Sequence, residues 1–325
     1  MSFAQQQLAT LNHNDSITVY YGASALQSAH AAAVNGDIIT LSPGAFNSVD
    51  ITKAVTIRGA GMFPDTAAGT DPTILLNNFT MTVNQDSLHN LCLEGLYCAG
   101  SKVYYSKVYN PQFLKCYFRS ISYGASNTII TEATFINCIM EHFENSYSGN
   151  DFVQGYARNT QFINSVILDL SPFGTPALMN CVAKLHCGQN ELNKVSVNNS
   201  IVYYDYYWGD INAYTSFNSI GIYTGTGNYN YFVATGLPNH NLWNYQGFAS
   251  VFKTFRGSYS DGVDFQLLDS VAATCLGSDG TQVGIYGGLM PFDPSVRNPL
   301  IKKCNVASRS TADGKLAVDI EIVSE

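Results

Sequence analysis

The chain has 325 residues, of which only 12% are charged, and its formal net charge is −8. That balance lacks the basic footprint of a nucleic-acid binder, and no apolar run reaches the roughly 18 residues of a membrane span. Tyr and Phe number 21 and 18, so aromatic rings rather than charges carry the distinctive side-chain chemistry.

In chain order, residues 1–15 read as a flexible start. Ser2-Phe3-Ala4 before Gln5-Gln6-Gln7 matches the small-residue end of an export signal, so a secreted, extracellular or cell-surface setting is expected. Residues 16–21, Ser-Ile-Thr-Val-Tyr-Tyr, alternate as a strand. Leu26, Ala29 and Ala33 then recur at helical spacing before Gly36, which predicts a helix over about 23–35. Placed ahead of a stack of strands, that helix would cover an open sheet end. Gly36 to Phe46, Val49 to Ile51 and Val55 to Gly61 predict three short strands separated by turns.

The helix, the run Gly36-Asp37-Ile38-Ile39-Thr40-Leu41-Ser42-Pro43-Gly44-Ala45-Phe46 and the run Val55-Thr56-Ile57-Arg58-Gly59-Ala60-Gly61 resemble the opening turn of the pectin-lyase-like superfamily. The resemblance implies an all-β chain wound as a right-handed parallel β-helix, a solenoid with an N-terminal capping helix. It is specific for fold and silent on activity, because lyases, hydrolases, esterases and non-catalytic surface proteins share that opening. The polar loop over residues 62–71 leaves one side of the stack, where such loops build a binding face.

From the middle of the chain a shape returns: apolar-x-Asn-small-apolar. It is written Phe135-Ile136-Asn137-Cys138-Ile139, Phe162-Ile163-Asn164-Ser165-Val166, Met179-Asn180-Cys181-Val182, Val197-Asn198-Asn199-Ser200-Ile201 and Phe217-Asn218-Ser219-Ile220, with a degenerate copy at Leu114-Lys115-Cys116-Tyr117. The spacing is that of one solenoid turn. Asn tolerates the left-handed backbone of a sharp corner, and the small residue after it points into a narrow interior. Stacked turns would set Asn137, Asn164, Asn180, Asn199 and Asn218 one above another, each amide bonding the next. Of eight cysteines, Cys116, Cys138 and Cys181 share the small slot and are expected to be buried free thiols. A Cys181–Cys187 disulfide is the alternative, and no metal spacing accompanies any Cys.

Residues 248–289 resemble the closing turn of secreted bacterial β-helix proteins, through Gly262-Val263-Asp264-Phe265-Gln266-Leu267 and Asp279-Gly280-Thr281-Gln282-Val283-Gly284-Ile285-Tyr286-Gly287-Gly288. Asp261, Asp264, Asp269 and Asp279 fit no EF-hand ligand spacing and are expected to stabilise turns. Residues 290–325 read as a C-terminal extension in which Leu300 to Val306 and Lys315 to Ile322 form a hairpin around Asp313-Gly314. One long domain over 16–289 is preferred to two, because a solenoid grows without the usual size limit.

Two function classes fit. The first is an extracellular carbohydrate-binding or adhesive protein whose ligand is a polysaccharide or glycan. Its contact surface would be Tyr206, Tyr207 and Trp208 beside Asp205 and Asp210, since flat rings and carboxylates suit the apolar faces and hydroxyl edges of sugars. Trp243 and Tyr245 form a second, fainter cluster. The alternative is a polysaccharide lyase or glycoside hydrolase acting on a uronate-containing polymer. The paired acids of a hydrolase and the basic motif of a lyase are not recognisable in the sequence, so the catalytic candidates come from the repeat. Counted four positions past each corner, Arg119, Glu141, Leu168, Lys184 and Tyr203 share one face, with Arg119 and Glu141 as stacked neighbours. His142 and Asp169, one position on, would face the interior unless a bend intervenes. No metal or cofactor is expected, except calcium under the lyase alternative.

Overall fold

The computed structural model describes residues 7–66, 69–81, 87–100, 103–105, 108–123, 129–145, 156–170, 176–185, 195–204, 211–213, 215–224, 232–234, 240–259, 263–296, 300–306, 314–315 and 318–323. The first element lies inside the stretch expected to be flexible. Leu8–His13 (β1) pairs antiparallel with Ser16–Tyr21 (β2). Their turn holds Asn14 and Asp15 at φ 49° and 62°, the geometry of a tight hairpin. β1 also pairs antiparallel with Ile38–Leu41 (β3). The expected helix runs Ala25–Ala32 (α1) and packs on β1, β2 and β3. Ala9 and Leu11 of β1 are buried in one cluster with Leu26 and Ala29 of α1, and that burial is what orders the start of the chain.

The chain is mostly β, and its described strands form one large, mostly parallel sheet, a smaller parallel one of four strands and two two-stranded ones. A first row stacks β3, Thr56–Arg58, Cys92–Glu94, Gln112–Leu114, Thr134–Ile136, Gln161–Ile163, Ala177–Met179 and Ser196–Asn198. A second row stacks Gly44–Phe46, Thr73–Leu75, Tyr97–Cys98 and the strands that begin at Tyr117, Ile139, Val166, Val182 and Ile201. Phe79–Met81 and Val103–Tyr105 continue in a third row with the ends of the Tyr117 and Ile139 strands. Leu88–His89, Val108–Tyr109, Ile129–Thr131 and Tyr156–Arg158 make the separate four-stranded sheet. Phe113 stacks on Phe135 at 4.5 Å and Phe135 on Phe162 at 5.0 Å, so identical positions of successive strands pack on one another in the core.

Between the first and second rows the chain turns on a column of left-handed residues, Gly95, Lys115, Asn137, Asn164, Asn180, Asn199 and Asn218, with φ from 45° to 64°. Backbone bonding continues through the corner: Lys115 N–H donates to Ile136 O at 2.8 Å, Asn137 N–H to Ile163 O at 3.1 Å and Asn164 N–H to Met179 O at 3.0 Å. Cys116, Cys138, Ser165, Cys181, Ser200 and Ser219 follow the corners and are fully buried. Their hydroxyls accept from the corner below, as Ser165 Oγ does from Cys138 N–H at 3.1 Å and Ser200 Oγ from Cys181 N–H at 3.0 Å. The small slot is therefore selected by hydrogen bonding as well as by space. Cys116, Cys138 and Cys181 are free thiols, and burial pushes Cys138 and Cys181 up to about 12. A Cys181–Cys187 disulfide is thus not formed.

Two expectations need correction. The corner amides do not chain to one another, because Oδ1 of Asn137, Asn164 and Asn180 is buried without a hydrogen-bond partner. An Asn-to-Asn bond occurs instead at a second left-handed column, from Asn110 Nδ2 to Asn90 Oδ1 at 2.8 Å. Nor do residues 248–289 add a parallel strand to the rows. Among the described residues they form a short 3-10 turn, the helix Asp269–Thr274 (α2) and isolated bridges.

Residues 277–296 instead run back along the corner column as a strap. Ser278 N–H donates to Asn199 Oδ1 at 3.1 Å and Gly284 N–H to Asn199 O at 2.8 Å. Asn164 Nδ2 donates to Ile285 O and Gly287 O at 2.9 and 2.7 Å. Lys115 Nζ reaches Ser295 O and Asp293. At Gly288, φ is 79° and an added Cβ would stand 2.0 Å from Asn180 Nδ2, while at Gly95 (φ 64°) it would meet Val296 at 2.5 Å. Both positions demand glycine by conformation and by contact. The last strands, Leu300–Val306 and Val318–Val323, pair antiparallel as expected, with Val306 opposite Val318, so their connection is longer than a two-residue Asp-Gly turn.

Asn164→Leu removes both bonds to the strap and leaves the carbonyl of Gly287 without its donor, while Ile285 O keeps Phe292 N–H. A loss of about 1–3 kcal/mol is expected, against about 0.5 kcal/mol or less for Lys315→Ala at the surface. Urea midpoints of the two variants check this, and equal midpoints would contradict it.

Candidate functional site

The second row is apolar on both faces. Inward residues such as Phe118 and Met140 alternate with Tyr97, Tyr117, Ile139, Val166, Val182, Ile201 and Ile220, which are aligned by register on the other face. That second column, Tyr97 excepted, is buried under Val251, Phe252, Phe255, Phe265, Leu267, Val283 and Ile285. Tyr203 joins this cover as a strand residue only 2% exposed, packing edge-on to Phe248 at 5.0 Å. The sequence signal is a pair of consecutive apolar residues after each small one, as in Cys138-Ile139-Met140 and Ser165-Val166-Ile167, which marks a strand buried on both faces.

At the early end of the row the cover is incomplete, and a cleft of about 760 Å³ opens there. Its walls come from three parts of the chain: Phe63 and Pro64 from the loop after Gly61, Ile74 and Tyr97 from the second row, and Tyr259, Asp264 and Tyr286 from the C-terminal cover. The loop over 62–71 thus supplies part of the cleft wall. Register sets Tyr97 beside Tyr117, and their rings stack at 4.5 Å and 6°. Tyr259 lies 5.9 Å from Tyr117 and 6.4 Å from Phe63 between ring centroids. These contacts hold the rings in place without a ligand.

Two phenols end on carboxylates. Tyr286 O–H donates to Asp264 Oδ1 at 3.0 Å, and Asp264 Oδ1 also accepts from Gln266 N–H at 3.0 Å, which is the turn-stabilising role expected of it. Asp279 does the same for Thr281. Burial, followed by the charge and hydrogen bond of Asp264, pushes Tyr286 up to about 12. Tyr117 O–H donates to Glu141 Oε1. Burial and Glu141 raise the Tyr117 phenol far above its ordinary range.

The catalytic candidates are only partly assembled. Arg119 Nε lies 3.9 Å from Glu141 Oε2, so the predicted stacked pair is present. Lys184 sits two strands further along the second row, roughly 10 Å from Glu141 at ordinary strand spacing. His142 and Asp169 do meet, at 3.3 Å, but with 51% and 30% side-chain exposure. The expected interior contact is therefore an outward one. The bend after Met140 turns His142 out, since Met140 and Phe143 both remain buried. Asp205, Tyr206, Tyr207, Trp208 and Asp210 lie outside the described residues. Trp243 and Tyr245 are half-buried against the C-terminal cover, with Tyr245 Oη 3.5 Å from Cys275 Sγ.

A second cavity of about 800 Å³ borders the strap beside Met179, Asn180 and Asn199, under Leu289, which is 96% exposed. Among the described residues no group of three metal-ligating side chains occurs and no helix is long and apolar enough to cross a membrane. No protein-family model matches the chain, and no curated protein does. Among solved structures, ORF18 of Geobacillus virus E2 superposes with a TM-score of 0.35 and 16% identity, over 92% of this chain and 83% of that one. That distance carries no inference about function.

The raised Tyr286 phenol fixes the sign of an alkaline effect. Its pKa of about 12 in the fold exceeds the ordinary 10.0, so the stability it contributes is complete below about pH 10 and declines as pH rises toward about 12. Tyr117 and Tyr245 act in the same direction. In Tyr286→Phe the fall in urea midpoint between about pH 9 and about pH 11.5 should shrink. An undiminished fall would contradict the assignment.

Proposed function

We propose that this chain is a right-handed parallel β-helix of the pectin-lyase-like kind that binds a glycan, with the ring-walled cleft as its contact site. The return of the chain to the same rows in the same order, around left-handed corners, supports the β-helix. The observation that carries the binding reading is a preformed cleft whose rings, Phe63, Tyr97 and Tyr259, stand beside a single carboxylate, Asp264. Sugar rings offer apolar C–H faces for stacking and hydroxyls for the carboxylate and the phenols. A secreted, extracellular or cell-surface setting belongs to the same proposal. The aromatic run at Tyr206, Tyr207 and Trp208 is a second contact surface in the same reading.

Glycan-array screening followed by titration of the best ligand tests this. Tyr97→Ala and Tyr259→Ala should each weaken binding by roughly tenfold. Binding unchanged in both, but abolished by Trp208→Ala, would move the site to residues 205–210. Release of unsaturated uronides by the purified protein, lost on substitution of Arg119, Glu141 or Lys184, would replace the binding reading with the polysaccharide-lyase one.

A further inference from the structure

We propose that the cleft selects a glycan bearing a protonated amine, an unacetylated amino sugar, over neutral and uronate sugars; this rests on the glycan reading above. Among the described residues lining the cleft, the only charged side chain is Asp264. Its Oδ1 is fixed by Gln266 N–H and Tyr286 O–H, so the carboxylate is held in place before any ligand arrives. Behind the ring wall a second carboxylate, Glu141, accepts from Tyr117 O–H. Ring faces carry negative potential and attract a cation placed over them. Phe63, Tyr97 and Tyr259 present such rings beside Asp264, the arrangement in which aromatic walls and an acid together receive an ammonium group. The overall charge of −8 draws a cationic polymer from a distance and repels an anionic one.

A uronate fares poorly at the same place. Its carboxylate would meet ring faces and Asp264, and the nearby Arg119 is directed to Glu141 at 3.9 Å and is 62% exposed. A neutral sugar would gain the stacking but nothing from the charge. The inference therefore separates the two contributions: rings give affinity to any sugar, and Asp264 gives selectivity for the amine.

The test is calorimetric titration of the full chain with three tetrasaccharides, of glucosamine, N-acetylglucosamine and galacturonate. It is run at about pH 5, because the electron-withdrawing oxygens around a sugar amine make it less basic than an ordinary alkyl amine. The glucosamine tetramer should bind about tenfold more tightly than its acetylated form, the equivalent of one favourable charge contact. That preference should vanish in Asp264→Asn and shrink as salt is raised, whereas Tyr97→Ala should weaken both. Equal affinity for the acetylated tetramer, or preference for galacturonate, would overturn the inference and leave the glycan reading standing. Failure of all three to bind would overturn the inference, and the glycan-array screen would then decide the glycan reading by itself. If Asp264→Asn does not fold, the salt dependence of the wild-type preference decides: a preference insensitive to salt overturns the inference.

Discussion

The structure depends on the apolar outer face of one row of parallel strands. A parallel sheet is stable when both faces are covered, and here the inner face is covered by the core while the outer column from Tyr117 to Ile220 has no partner within the rows themselves. Residues 248–292 supply it. Burying each of these side chains is worth about 1.5–3 kcal/mol. The strap then follows the corner column because the left-handed corners direct amide groups outward, and Asn164 and Asn199 bond it there.

The cleft is a consequence of where that cover stops. The C-terminal segment lies over the row from Ile220 back to Tyr117, and beyond it the rings of Tyr97 and Phe63 are only half-buried. Ring stacking within the wall and phenol-to-carboxylate bonds behind it fix the surface before a ligand binds, which lowers the ordering cost of association. The chemistry presented is aromatic and acidic rather than basic, in line with the composition of the whole chain.

The corners were legible in the sequence because their constraint is local. An Asn that must adopt positive φ, followed by a Cys or Ser that must fit a narrow interior, recurs at five corners from Asn137 to Asn218. The pairing of Arg119 with Glu141 was legible for the same reason, by counting from the corner. The strap was not. Asn164 and Gly287 are separated by 123 positions, and nothing near either one names the other. Residues 280–288 carry glycines that look like ordinary turns. The strand at Leu8–His13 was missed because its order comes from burial against α1 rather than from its own pattern. The cleft joins Phe63, Tyr97 and Tyr259 from three distant segments, so no motif records it, although the paired apolar residues after Cys138 and Ser165 did announce a face in need of cover.

The central claim, that a cleft left by incomplete cover of this row receives an amino sugar, is tested most directly by a crystal structure of the full chain with the glucosamine tetramer. The account predicts a sugar ring stacked on Tyr97 or Tyr259 with its amine within hydrogen-bonding distance of Asp264. A tetramer bound elsewhere, or an empty cleft in a crystal saturated with ligand, would contradict it.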